Sequence, residues 1–139
     1  MKYAILIIAS LILLQNAKAQ DAYKNYKMES IYLHHSSYIK NGVKYPLGLF
    51  SANLGQEMKV SPHALGEWKK YENYRTWAIV TSIVGLGLTV RSITINNNDT
   101  LRDGLLISGL GASIASFTFG LKARNQINKA VWTRNRDIL

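Results

Sequence analysis

The chain has 139 residues, with 17 Lys and Arg against 8 Asp and Glu, three His and no Cys. That length suits one ordinary domain, and the lack of Cys excludes disulfides, thiolate metal sites, thiol nucleophiles and a lipid-bearing N-terminal Cys. A formal charge of +9 would ordinarily raise nucleic acid as a partner; here the apolar residues are bunched into three runs, so the average composition misleads and no nucleic-acid partner is expected.

The first run covers residues 3–14, after Lys2 and before Gln15-Asn16-Ala17-Lys18-Ala19-Gln20. A basic start, a short apolar stretch and a small-x-small tripeptide are the three parts of a cleavable secretory signal. Ala17 and Ala19 occupy the positions that signal peptidase requires to be small, so the mature chain is expected to begin at Gln20. The run falls short of the about 20 apolar residues of a spanning helix; an uncleaved anchor is the alternative.

Residues 28–60 read as a small β region followed by a short helix. Ile31-Tyr32-Leu33 and Ser37-Tyr38-Ile39-Lys40 are β-prone, and Asn41-Gly42 supplies the left-handed conformations of a tight hairpin turn. Val43-Lys44-Tyr45 forms the return strand, stopped at Pro46. Two helical turns are expected over residues 50–59, weakened by Gly55. Ser61-Pro62 is a helix start, an N-cap followed by proline at the first position. Leu65, Trp68, Tyr71, Tyr74 and Trp77 follow at three-residue steps, so one long helix is expected to run into the second apolar run. Tyr74 and Trp77, beside Arg75, sit where interfacial aromatics belong.

The second run, residues 76–90, lies between Arg75 and Arg91; the third, residues 104–121, lies between Asp103 and Lys122. As helices they span roughly 22 and 27 Å, against a hydrocarbon core near 30 Å. Neither contains a charge, whereas a surface helix of a soluble protein carries one polar stripe. Two membrane helices are therefore expected, joined through the polar turn Asn96-Asn97-Asn98-Asp99. A buried hairpin in a soluble domain is the alternative. The third helix is expected to run on past Gly120 through Ile127 and Val131, with Trp132 and Arg134 near its end.

In the third run Gly104, Ser108, Ala112, Ser116 and Gly120 recur every fourth residue. Residues four apart share a helix face, which predicts a smooth groove widened by Gly109, Gly111, Ser113 and Ala115. Thr81, Gly85 and Thr89, with Ala78 and Ser82, echo it in the second run. In lipid, small residues at this spacing permit close backbone approach. Whether that face meets the other helix, a second copy or another envelope protein stays open.

Chemistry is sparsely signalled. Adjacent His34 and His35 on a strand point to opposite faces and make a poor metal clamp, and His63 is remote in sequence. No Ser/His/Asp spacing is evident. The acids are scattered and mostly flanked by Lys, which suggests solvated surface. Gly85-Leu86-Gly87 and Gly109-Leu110-Gly111 lack the third glycine and preceding strand of a nucleotide loop. No catalytic residue, metal or cofactor is expected, and the chain reads as non-enzymatic.

Charge placement carries a conflict. Residues 20–75 sum to +3, residues 91–103 to zero and residues 121–139 to +4. A cleaved signal places both basic flanks on the exported side, whereas the positive-inside rule prefers them in the cytoplasm. The joint specificity of the signal features favours export, which leaves inner and outer membrane open.

The segments "YIKNGVKYPLG", "SPHALGEWKKY" and "INKAVWTRNRDIL", with a leading signal and a Gly-rich helical hairpin, resemble a family of small, uncharacterised envelope proteins of Bacteroidota bacteria. In that family the closing stretch commonly reads Lys-Ala-Val and then Tyr-Asn. Lys129-Ala130-Val131 fits, while no Tyr precedes Asn135. The small-residue ladder also resembles glycine-zipper envelope proteins, with Ser and Ala at its central positions. The resemblance implies a membrane-associated envelope location and no particular activity.

The expected organisation is mainly α: a signal over 1–19, an exported β-hairpin and helix segment over 20–75, a two-helix membrane hairpin over 76–121 and a basic helical extension over 122–139. The expected partners are the lipid bilayer and a second copy or another envelope protein, in a structural or adaptor role. A soluble periplasmic binding module and a membrane-perturbing, pore-forming protein are the other classes.

Overall fold

A computed structural model describes residues 28–48, 51–95 and 98–138. The expected signal segment with Ala17, Ala19 and Gln20, together with Phe50, Asn96 and Asn97, lies outside the described residues. The chain is mainly helical, with a small three-stranded antiparallel sheet ahead of three helices, two of them long.

Strands β1 (Ile31–His34), β2 (Ser37–Lys40) and β3 (Val43–Pro46) form a meander in that order. At the second turn Asn41 and Gly42 both have positive φ, 52° and 72°, the pairing that a two-residue turn needs to match strand twist. Tyr38 lies opposite both Leu33 and Tyr45, and its ring stacks on Tyr45 with centroids 5.3 Å apart. Pro46 closes β3 on the sheet edge, where its missing N–H costs nothing.

Helix α1 (Ala52–Met58) is shorter than the expected 50–59. Gly55 weakens it but allows close packing: a side chain there would stand 3.1 Å from the Trp68 ring. Helix α2 (Pro62–Thr94) starts where Ser61-Pro62 predicts, with the Ser61 hydroxyl accepting from Ala64 N–H at 3.1 Å. It continues unbroken for 33 residues. Helix α3 (Asp99–Asp137) is capped by Asn98, whose side chain accepts from Leu101 N–H at 3.0 Å, and runs for 39 residues.

The core occupies one end of this hairpin. Ile31 and Tyr38 of the sheet, Leu54 and Met58 of α1, Ala64, Trp68 and Tyr71 of α2, and Ala123, Ile127, Ala130 and Val131 of α3 are buried together. We call this end the head. Beyond it, among the described residues, only α2 and α3 remain, packed along a heptad seam. Ala64, Trp68, Tyr71, Arg75, Ala78, Ser82, Gly85, Thr89 and Ser92 face Leu105, Gly109, Ala112, Ser116, Phe119, Ala123, Gln126 and Ala130, in alternating steps of three and four. That rhythm keeps one stripe of each helix against the other, as in a coiled coil.

Only part of the four-residue ladder lies in this seam. At 3.6 residues per turn each step of four drifts about 40°, so a five-member ladder turns through about 160° and cannot share one face. Ala112 and Ser116 lie in the seam, and the Ser116 hydroxyl donates to the Ala78 carbonyl at 2.7 Å. Gly104 and Gly120 look into open space, and Ser108 is exposed. On α2, Gly85 and Thr89 are in the seam, while Thr81 sits on its flank with its hydroxyl turned back to the Trp77 carbonyl at 2.7 Å. The closest approach is between Gly85 and Gly109. A Cβ on Gly85 would lie 3.0 Å from the Gly109 carbonyl oxygen, and one on Gly109 would lie 2.5 Å from Thr89 Oγ1.

This geometry separates the glycines. Gly109→Leu should open the hairpin at a cost of about 1–3 kcal/mol from overpacking, whereas Gly104→Leu should leave it closed. Disulfide formation between Ala78→Cys and Ser116→Cys, in a chain without native cysteine, reports closure. Equal yields in both backgrounds would refute the seam.

Candidate functional site

The head is held by the last turn of α3. Arg134 there is 1% exposed, which costs a guanidinium its hydration unless its donors are met. They are met by two separate segments. Nη1 donates to the Glu29 carbonyl at 2.6 Å, Nε to the Glu57 carbonyl at 3.2 Å, and Nη2 to the Glu57 carboxylate at 3.2 Å. Lys40 of β2 reaches the same Glu57 oxygen at 3.0 Å and Glu29 at 3.4 Å. Burial works against the Lys40 charge, but the hydrogen bond and charge of Glu57, then Glu29, outweigh it and raise its pKa above the ordinary amine value. The Tyr38 hydroxyl is also pushed up, first by burial and then by Glu57.

Asn135 completes the clamp. Its amide donates to the Ile31 carbonyl at 2.8 Å and accepts from Ile31 N–H at 2.9 Å. One side chain thus supplies the two bonds that a neighbouring strand would give to the free edge of β1. Glu57 is consequently not the solvated surface acid expected from its neighbours: it is 22% exposed and bonded to two cations.

A second cluster joins the start of α2 to the end of α3. Ser61 Oγ donates to Asp137, and His63 Nδ1 lies 3.2 Å from the same carboxylate oxygen. Three residue types of a hydrolytic triad therefore meet, which the sequence spacing did not signal. Their connectivity is not that of a triad, since the hydroxyl bonds to the carboxylate and caps α2 instead of facing the imidazole. The arrangement is a latch. Further along, Glu67 of α2 is bonded to Lys70 at 3.0 Å, to Lys129 of α3 at 3.2 Å and to Gln126 of α3.

His34 and His35 are exposed with ring centroids 4.6 Å apart, and among the described residues no three His, Asp or Glu side chains gather as a metal site. The Gly-Leu-Gly pairs lie inside α2 and α3. Where the head meets the apolar stretch, Phe119 packs on Tyr74 and Trp77 with centroids 6.4 and 6.5 Å away. Lys122 stands 5.8 Å over Tyr74 and Arg75 lies 5.6 Å from the Tyr71 centroid. Aromatic rings and cations thus form a collar between the two zones.

No protein-family model, curated protein or solved structure matches the chain.

Two predictions follow from the clamp and the latch. Arg134→Met leaves the Glu29 and Glu57 carbonyls without their donor and the Glu57 carboxylate with Lys40 alone, so head stability should fall by about 1–3 kcal/mol, the cost of leaving buried acceptors unmet. Adding Glu57→Leu should recover part of that loss. Urea unfolding followed by tryptophan fluorescence measures both, and an Arg134→Met variant as stable as the parent would refute the clamp.

The second concerns acid. The hydrogen bond from Lys70, then Lys129, lowers the Glu67 pKa below its ordinary 4.5. Those from Ser61 and Arg136 lower Asp137 below 3.8. A lowered carboxyl pKa stabilises the fold above its unfolded value, and that contribution disappears as pH falls through the folded value. The unfolding midpoint should therefore drop on acidification below about pH 4, and Asp137→Asn should flatten the drop. A midpoint indifferent to pH there would contradict the latch.

Proposed function

We propose that this chain is a non-enzymatic membrane protein of the bacterial cell envelope, in which a two-helix hairpin anchors a basic head in a structural or adaptor role. One observation carries the reading: the apolar stretch is packed inside out. Small residues fill its seam, while Ile83, Ile93, Ile107, Ile114 and Phe117 face outward, each 66–71% exposed. In water such side chains each forgo roughly 1.5–3 kcal/mol of burial; in lipid the arrangement is the ordinary one, because helices there associate through close backbone approach.

Both long helices have the length and composition to cross a membrane, and few residues of either apolar stretch are buried. A soluble module using these helices as its core would bury them. Here the core lies in the head. The signal-like pattern of residues 1–19, a basic start, a short apolar run and Ala17-Lys18-Ala19, is what favours an envelope location. Gly104 and Ser108, left open by the seam, support self-association through a second close-packing face.

Carbonate extraction of membranes from cells expressing the full chain tests the reading. The protein should stay in the membrane pellet and partition into detergent. Release into the carbonate supernatant would defeat it in favour of the soluble module.

A further inference from the structure

Just below the head the groove between α2 and α3 opens on one flank. Arg75, Ala78, Ile79, Ser82 and Ile83 of α2 and Ser116 of α3 line an open cavity of about 300 Å³ there. It exists because the seam residues are small: Ala78, Ser82 and Ser116 hold the backbones together but do not reach the outer edge. By helical spacing, Tyr74 and Trp77 project from the opposite flank, where the Phe119 ring packs beside them. The hollow is therefore one-sided.

Its two ends differ chemically. Arg75, the last charged residue before the uncharged run 76–90, lies at the head end, half-buried and braced by the Tyr71 ring. Away from the head, Ile79 and Ile83 make an apolar wall. The Ser116 hydroxyl is already satisfied by the Ala78 carbonyl, so it presents no unmet donor to a hydrocarbon chain. A cation at the rim of an apolar furrow, at the level where charged head gives way to uncharged helix, complements an anionic amphiphile.

We propose that this hollow is a binding site for one anionic phospholipid, with its phosphate on Arg75 and the upper part of one acyl chain along Ile79 and Ile83. The inference rests on the membrane reading above. A guanidinium stays charged and is more weakly hydrated than an ammonium, so it can face a phosphate at the rim of an apolar furrow. The net charges of +3 and +4 on the segments flanking the hairpin favour an anionic over a zwitterionic headgroup.

The test uses the full chain in phosphatidylcholine vesicles doped with photoactivatable phosphatidylglycerol or, separately, photoactivatable phosphatidylcholine. The anionic probe should label the segment carrying Ile79 and Ile83 about fivefold more, the factor that one basic residue contributes at an anionic surface. Arg75→Gln should abolish that preference, while Arg91→Gln, at the far end of α2, should leave it intact. Ile83→Trp, which fills the hollow without touching the charge, should lower labelling by both probes. Closure of the hairpin in each variant is checked by the Ala78→Cys/Ser116→Cys disulfide. Equal labelling by the two probes, or a preference that survives Arg75→Gln, would overturn the site. Stable insertion without anionic preference would defeat this inference alone; failure to insert into either vesicle would defeat the membrane reading with it.

Discussion

The head depends on one buried guanidinium. A two-helix hairpin has no inherent reason to retain a four-residue-strand meander and a seven-residue helix at its end, because each is too short to be stable alone. Arg134 supplies the reason. Its donors reach the Glu29 carbonyl just before β1 and both the carbonyl and the carboxylate of Glu57 at the end of α1, so two segments are fixed to α3 by one side chain. The desolvation cost is large, and good geometry on every donor is what offsets it. Its position in the last turn of α3 adds the favourable interaction of a cation with the helix C-terminus. Asn135 then uses the next position to pair with β1. Ordering the sheet against this fixed reference lets Ile31 and Tyr38 enter the core with Trp68 and Ile127.

From head to tip the same seam changes its occupants but not its rhythm. At the head the heptad positions carry Trp68, Tyr71, Ala123 and Ala130, and additional elements cover them. Past Arg75 they carry Ala78, Ser82, Gly85, Gly109, Ala112 and Ser116, and no additional element is present among the described residues. The large side chains have moved to the outside, so burial drives assembly in one half and close backbone contact holds the other. Gly85 and Gly109 mark the point where that contact is tightest.

What could be read from the sequence is what is local. Asn41-Gly42 and Ser61-Pro62 act within a few residues of themselves, and their turn and helix start appear at the expected places. The long helices were legible because no breaker interrupts them. Gly104, Ser108, Ala112, Ser116 and Gly120 repeat at four, which is close to the helical period but drifts from it, so the ladder and the seam share only Ala112 and Ser116. Spacings of three and four through Gly109, Ala112 and Ser116 would have located the seam. Arg134 carried no local signal, since its carbonyl partners lie 77 and 105 positions away. For the same reason Glu57, next to a Met and close to Lys59, read as an ordinary surface acid.

Head and hairpin are mechanically one piece. Helix α2 passes from Ser61 in the latch, through the collar at Arg75, to Thr94 without a kink-forming Pro or a break, and α3 returns from Asp99 to the clamp at Arg134. Two antiparallel helices bonded to each other within the head and again just below it resist independent rotation of the head, because any rotation would shift the register of Glu67 against Lys129 and of Ser116 against Ala78 together. The head is thus presented at a fixed height and azimuth above the apolar stretch. A flexible tether would let a basic domain sample the surrounding surface; a rigid one commits a single face of it. Arg75 is thereby held on one side of the hairpin and the Tyr74, Trp77 and Phe119 rings on the other.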